Sequence, residues 1–255
     1  MTEKELYSVI DSFCPRGLSC SWDNDGIMVS GNLDKEVNKV LLTLDATSDA
    51  LEYACENGYD TVLTHHPMLF RGMKNVTEAS LSGRRVLRAL SSGITVMSFH
   101  TRLDACTGGV NDALASRLGF NAVDYFGDDE SPKLGRIVEI PSVTAEELAC
   151  HVKKMLGCDA VRLNGKPSTV VSRIGICGGD GKDFIYPALA AGCNAFITGD
   201  AGYNMAADAS EDGIITIEAG HYHTEAPVLS VLEKLVRENC GADVGYFDSC
   251  TYKVL

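Results

Sequence analysis

The run Thr61-Val62-Leu63-Thr64-His65-His66-Pro67 decides how this chain folds. Its first four residues are apolar or β-branched and give a buried strand, and two imidazoles stand where that strand ends. Upstream, Val40-Leu41-Leu42-Thr43-Leu44 is another apolar strand, after which Thr47 or Ser48 caps a helix through Leu51 and Ala54 to Gly58. Downstream, a helix around residues 83–90 leads to a strand at residues 94–99. Residues 110–118 then read as a helix stopped by Gly119. This alternation predicts an α/β fold with parallel strands, covered by helices on both faces.

The second half continues the pattern after a break. Residues 121–134 turn acidic and loop-like around Asp128-Asp129-Glu130-Ser131-Pro132, which sets a domain border near 127/128. Beyond it, Thr144 with Glu147 forms a capping box that opens a helix to about Leu156. Residues 160–165 and 169–174 read as a hairpin around Gly165-Lys166-Pro167. Gly178-Gly179-Asp180-Gly181 lies between a strand and a helix at residues 184–191, where backbone amides can cradle an anion. A tight strand-to-helix turn explains those glycines equally well. Strands at residues 195–200 and 214–218, an amphipathic helix through Val228, Leu232 and Leu235, and a strand at residues 244–247 complete the chain.

A length of 255 residues allows one large domain or two modest ones. A net charge of −13 argues against a general nucleic-acid surface, which needs clustered Lys and Arg. No apolar run approaches a membrane span and the first residues lack a signal peptide's pattern, so a cytoplasmic location is expected. None of the ten cysteines forms a C-x-x-C pair, and several sit in apolar patterns, as Cys177 and Cys193 do. They read as buried, reduced thiols rather than a disulfide framework.

Four of the six histidines fall in two short windows, His65-His66 and His221-Tyr222-His223, and a fifth, His100, precedes Asp104 by four residues. Neutral imidazole with carboxylate is ligand chemistry for zinc, iron or manganese. Adjacent strand residues face opposite ways, so His65 and His66 either serve one metal each or split into one buried and one exposed histidine. His221 and Glu225 share a face if their segment is helical; if it is extended, His223 joins them. Asp104 also follows a strand end, and strand ends of an open parallel sheet converge on one crevice.

Taken with Ser21-Trp22-Asp23-Asn24-Asp25-Gly26, His100-Thr101-Arg102-Leu103-Asp104, Gly108-Gly109-Val110-Asn111-Asp112, Thr198-Gly199-Asp200 and Ala219-Gly220-His221-Tyr222-His223-Thr224-Glu225, these motifs resemble the NIF-three-like proteins. That family is also called GTP cyclohydrolase I type 2, or the dinuclear metal-centre proteins. The motifs run in family order over almost the whole chain. The resemblance implies two α/β domains, the first from residues 1–127 plus 217–255 and the second, smaller one from residues 128–216. It implies two divalent ions (Zn, Fe or Mn) held by His65, His66, Asp104, His221 and Glu225, with Glu225 or Asp104 bridging. It also implies a homohexameric ring.

Two departures stand out. Asn204 and its neighbours replace a histidine often found after Thr-Gly-Asp in the family, and Arg102 replaces a usual Asn. Arg102 either holds an anionic substrate group or pairs with a nearby carboxylate. The expected function is metal-dependent hydrolysis of a small molecule, for GTP the addition of water at purine C8 with loss of formate. His100 is the candidate second-shell orienter or proton shuttle. No residue identifies guanine, and a non-catalytic metal-holding ring or interaction scaffold fits the same ligands.

Overall fold

The computed structural model describes residues 1–127 and 132–254. In chain order its elements begin with α1 (Glu3–Phe13), β1 (Gly26–Val29), β2 (Lys39–Thr43), α2 (Ser48–Glu56), β3 (Thr61–Thr64), α3 (Leu81–Ser91), β4 (Thr95–Ser98) and α4 (Thr101–Ala105). Next come α5 (Val110–Arg117), β5 (Ala122–Phe126), β6 (Gly135–Thr144), α6 (Ala145–Leu156), β7 (Arg162–Asn164), β8 (Val170–Asp180) and α7 (Ile185–Ala190). Then follow β9 (Ala195–Asp200), α8 (Tyr203–Glu211), β10 (Ile215–Glu218), α9 (His221–Glu225), α10 (Val228–Cys240) and β11 (Asp243–Tyr246).

Local chemistry starts the helices where the sequence indicates. Thr47 accepts the Ala50 amide at the head of α2, and Thr144 with Glu147 makes both bonds of the capping box on α6. Contacts gather the chain into two units, Met1–Cys106 with Leu229–Cys250, and Thr107–Val228 with the residues after Cys250. These borders differ from 127/128 and 216/217 because β5 and β10 are both paired inside the second sheet. The acidic run at residues 128–131, on which the first border was read, lies outside the described residues.

The first unit holds a five-stranded sheet of order β1-β4-β3-β2-β11. All neighbours are parallel except β1, which runs against β4. Every residue of β3 and β4 is buried, as their unbroken apolar and threonine runs require. Leu41, Val62 and Val96 of the sheet form a core with Leu51 and Ala54 of α2 and Val86 and Ala89 of α3. Each such Leu or Val contributes about 1.5–3 kcal/mol on burial.

The second unit holds a six-stranded sheet of order β5-β6-β8-β9-β10-β7. Its core joins Leu114, Val138, Val152, Ile174, Ile176, Ile197 and Ile217. β8, β9 and β10 run parallel, while β5, β6 and β8 pair antiparallel, so this sheet is mixed where the first is mostly parallel. Residues 122–126, read as loop, form β5 because they pair with β6. The hairpin expected around Gly165 does not form. Instead β7 lies antiparallel to β10, held by Arg162 and Asn164, whose side chains both reach Glu218 at 3.0 Å.

Register places the functional residues. Thr64 is aligned with Thr43 of β2 and with Ser98 of β4, so three chains leave the sheet level with one another. In the second unit Glu218 aligns with Thr198, which brings the ends of β9 and β10 together.

Candidate metal centre

In the first unit, the residues after β2, β3 and β4 meet as their register dictates. His65 is fully buried, and its Nδ1 lies 2.9 Å from the Phe99 carbonyl oxygen. His66 Nδ1 lies 2.9 Å from Asp45 Oδ1, just beyond β2. His100 Nδ1 lies 2.8 Å from Asp23 Oδ1. Ring centroids of His65 are 5.0 Å from His66 and 5.3 Å from His100, and the three offer ligand nitrogens within 4.8 Å of one another. Asp104, on α4, brings Oδ1 to 3.6 Å from His65 Nε2.

In the second unit, α9 answers the choice left open by spacing. The segment is helical, so His221 Nε2 stands 3.3 Å from Glu225 Oε1 at i,i+4. His223 points elsewhere, with Nδ1 3.4 Å from the Tyr252 hydroxyl. His221 Nδ1 lies 2.9 Å from Asp200 Oδ2 at the end of β9. Two glycines make room for α9. A Cβ on Gly199 would stand 2.7 Å from His221 Cα, and one on Gly179 would strike Glu225 Oε1 and reach 3.3 Å from His221 Nε2. The Gly179 backbone is left-handed, at φ +65°.

This close approach is why residues 178–181 are glycine-rich, and it removes the anion-cradle reading. The amides of Gly178, Gly179 and Gly181 already donate to Asn111, Thr224 and Thr198. The helix expected at residues 184–191 forms as α7, Ile185–Ala190, after a short 3-10 turn.

The donor set fits divalent cations on two observations. First, His65, His66, His100 and His221 each direct Nδ1 at an oxygen that can only accept, a carbonyl or a carboxylate. Each Nδ1 therefore carries its proton, and Nε2 presents its lone pair, the tautomer that metal-ligating histidines adopt. Second, Nε2 faces a carboxylate oxygen at 3.6 Å in one unit and 3.3 Å in the other. A charged imidazolium–carboxylate bond would be about 2.7–2.9 Å. Two ligands on one tetrahedral ion at about 2.1 Å stand about 3.4 Å apart.

Asp45, Asp23 and Asp200 orient histidine rings, partnerships that the sequence reading missed. Asp23 and Asp200 lie inside motifs already noted, yet only tertiary pairing reveals their histidine partners. Burial works to raise the Asp23 carboxyl, but hydrogen bonds from His100 and Thr101 outweigh it and hold the group at about 2. It is ionised at any physiological pH. Arg102 resolves toward carboxylate pairing: its buried guanidinium is 2.6 Å from Asp11 and 3.1 Å from Asp25, stacked 4.4 Å over Phe99. Cys106 is buried with its thiol 3.6 Å from the Leu103 carbonyl, outside the histidine group. All ten cysteines are free thiols. No helix among the described residues is long and apolar enough to cross a membrane.

Comparison with known proteins identifies the family. A profile of the Duf34/NIF3 (NGG1p interacting factor 3) family matches residues 1–252. A "GTP cyclohydrolase 1 type 2 homolog" from Clostridium perfringens is 34% identical over 253 residues, covering 98% of this chain and 96% of that protein. One of the same name from Clostridium acetobutylicum is 33% identical over 91% of this chain and 88% of its own. Among solved structures, a Staphylococcus aureus protein superposes with a TM-score of 0.89 at 25% identity, covering 100% of this chain and 99% of its own. Reduced HcgD from Methanocaldococcus jannaschii gives 0.83 at 26% identity, covering 96% and 97%. The chain belongs to the Duf34/NIF3 family.

Proposed function

We propose that this protein is a divalent-metal-dependent hydrolase acting on a nucleotide, with two ions liganded by His65, His66, Asp104, His221 and Glu225. The observation that carries the reading is the shared tautomer: four histidines present Nε2 because an acceptor oxygen holds each Nδ1–H. The relatives' printed name supports a nucleotide substrate, with GTP ring opening at purine C8 as the reaction to test first. Zinc, iron and manganese all suit imidazole with carboxylate.

When bound, such ions lower the pKa of a water and stabilise charge developing on the attacked group. The chain's own residues orient and move protons. Asp45, the Phe99 carbonyl and Asp200 fix three ring orientations. His100, braced by ionised Asp23, takes a proton from the attacking water at Nε2 and returns it to the leaving group. Assembly as a homohexameric ring belongs to the same proposal and is read by sedimentation.

The test is metal analysis by mass spectrometry with a turnover screen on nucleotides. The reading requires near two ions per chain, falling in His65→Ala and His221→Ala. It also requires product that vanishes in His66→Ala and Glu225→Ala. Product unchanged in those variants refutes the catalytic reading. Metal bound without turnover of any nucleotide favours a metal-holding role instead.

A further inference from the structure

Two large aromatic side chains of the first unit face outward beside the histidine group. Trp22 is 61% exposed and Phe70 46%. Exposed rings of this size usually move freely, but the backbone that carries Trp22 is held. Trp22 sits on a turn closed by the Asp23 amide to the Cys20 carbonyl at 3.0 Å. The turn is anchored to α4 at both ends. The Cys20 amide donates to Thr101 Oγ1 at 2.9 Å, and the Asp23 carboxylate accepts from the Thr101 amide at 3.0 Å and its hydroxyl at 2.6 Å. The Asn24 side-chain amide donates to the Leu69 carbonyl, tying this turn to the loop that carries Phe70.

The rings form a corner with His100. Trp22 and Phe70 have centroids 6.1 Å apart at 63°. His100 stands edge-on to both, 6.3 Å from Trp22 at 74° and 6.3 Å from Phe70 at 88°. His100 is in turn 5.3 Å from His65 and 5.9 Å from His66. The platform is thus one ring removed from the candidate ligands. A surface ordered in advance gives up little freedom when a flat molecule settles on it, so more of the contact energy appears as affinity.

We infer that Trp22 is the stacking face, and Phe70 an adjoining wall inclined at 63° to it, of a platform for a planar, purine-sized heterocycle of the molecule on which the centre acts. The inference rests on the metal-centre reading above and names the residues that would hold its substrate's base. Stacking selects flatness and π-surface rather than a particular edge pattern, so it recognises a nucleobase without naming guanine. His100 stands at the edge of that platform, within reach of the ring the platform holds.

Trp22 is the chain's single tryptophan, so its fluorescence reports on this corner alone. Metal-loaded and metal-free protein are each titrated with guanosine, adenosine and inorganic tripolyphosphate. Both nucleosides quench the emission and tripolyphosphate does not. Phe70→Leu, which keeps the reporter, weakens nucleoside binding by about 2-fold to 13-fold, the worth of one edge-to-face ring contact. Trp22→Leu, read by calorimetry, weakens it by about 5-fold to 150-fold, the range one stacked base is worth, with wild-type melting behaviour showing that it folds. Quenching by tripolyphosphate alone overturns the inference in favour of a phosphate site. Emission that shifts on dilution as copies dissociate overturns it in favour of a surface covered by a second chain. The two readings fail separately. Absent nucleoside binding with intact metal content that His65→Ala abolishes removes the platform and leaves the centre. Nucleoside quenching in protein that never takes up metal removes the centre and leaves the platform.

Discussion

Gly179→Ala separates a steric role from a backbone role at the second donor pair. The new methyl meets two costs. The residue is left-handed, at φ +65°, which costs a residue with a Cβ about 1–2 kcal/mol. The methyl also overlaps Glu225 Oε1 and stands 3.2 Å from Glu225 Cδ and 3.3 Å from His221 Nε2. The carboxylate end is the part that can swing, so the strain is relieved by turning Glu225 away from His221. Metal affinity then falls by more than the roughly 10–100-fold that loss of an outer-shell partner costs. Gly157→Ala is the matched control, with φ +68° and nothing within 4 Å of its Cβ. Both variants lose about 1–2 kcal/mol in urea unfolding of metal-free protein. Only Gly179→Ala loses ions when both are dialysed against buffered zinc and counted by mass spectrometry. Equal metal content in the two variants would refute the assignment of Glu225 as a ligand.

Three further outcomes follow from the geometry. Asp200→Ala weakens metal binding by about 10–100-fold while leaving stability within about 0.5 kcal/mol, because it frees the His221 ring from a partner that is 57% exposed. Wild-type affinity in a competition titration would show that the tautomer is set otherwise. Burial raises the Glu3 carboxyl above its ordinary 4.5, so its contribution is full below that pH and declines as pH rises through the folded value. Glu3→Gln therefore melts higher than wild type at pH 7, with the gap closing toward pH 4; a gap that ignores pH in calorimetry contradicts this. Arg102→Leu destabilises the protein by about 3–5 kcal/mol, since it leaves the buried Asp25 carboxylate without its cation. If chemical unfolding is unchanged and only substrate affinity falls, Arg102 was an anion receptor after all.

The central strands were legible because parallel strands buried on both faces must be apolar throughout, and residues 40–44, 61–64 and 94–99 have no competing periodicity. The histidines were legible because imidazole at strand ends is chemically conspicuous. Their acceptors were not: His66 finds Asp45 across 21 residues and His100 finds Asp23 across 77. Only sheet register and the anchored turn bring them together. The hairpin reading of residues 160–174 failed for a related reason. A turn signal at Gly165 says that the chain reverses, not which strand it then joins, and Glu218 offered Arg162 and Asn164 better partners. Only one of residues 122–126 is buried, so no buried alternation marked them as a strand.

The five residues of α4 carry two opposed duties. Arg102 locks the helix to α1 through Asp11 and to the chain before β1 through Asp25, while Asp104 turns to His65. With both on one short helix, an ion held by Asp104 and His65 would couple cation uptake to the integrity of the N-terminal sheet. Melting temperature then becomes a binding isotherm: a free ion at a thousand times its dissociation constant adds about 4 kcal/mol of resistance to unfolding. Thermal shift against buffered cation series would then rank zinc, iron and manganese for this protein.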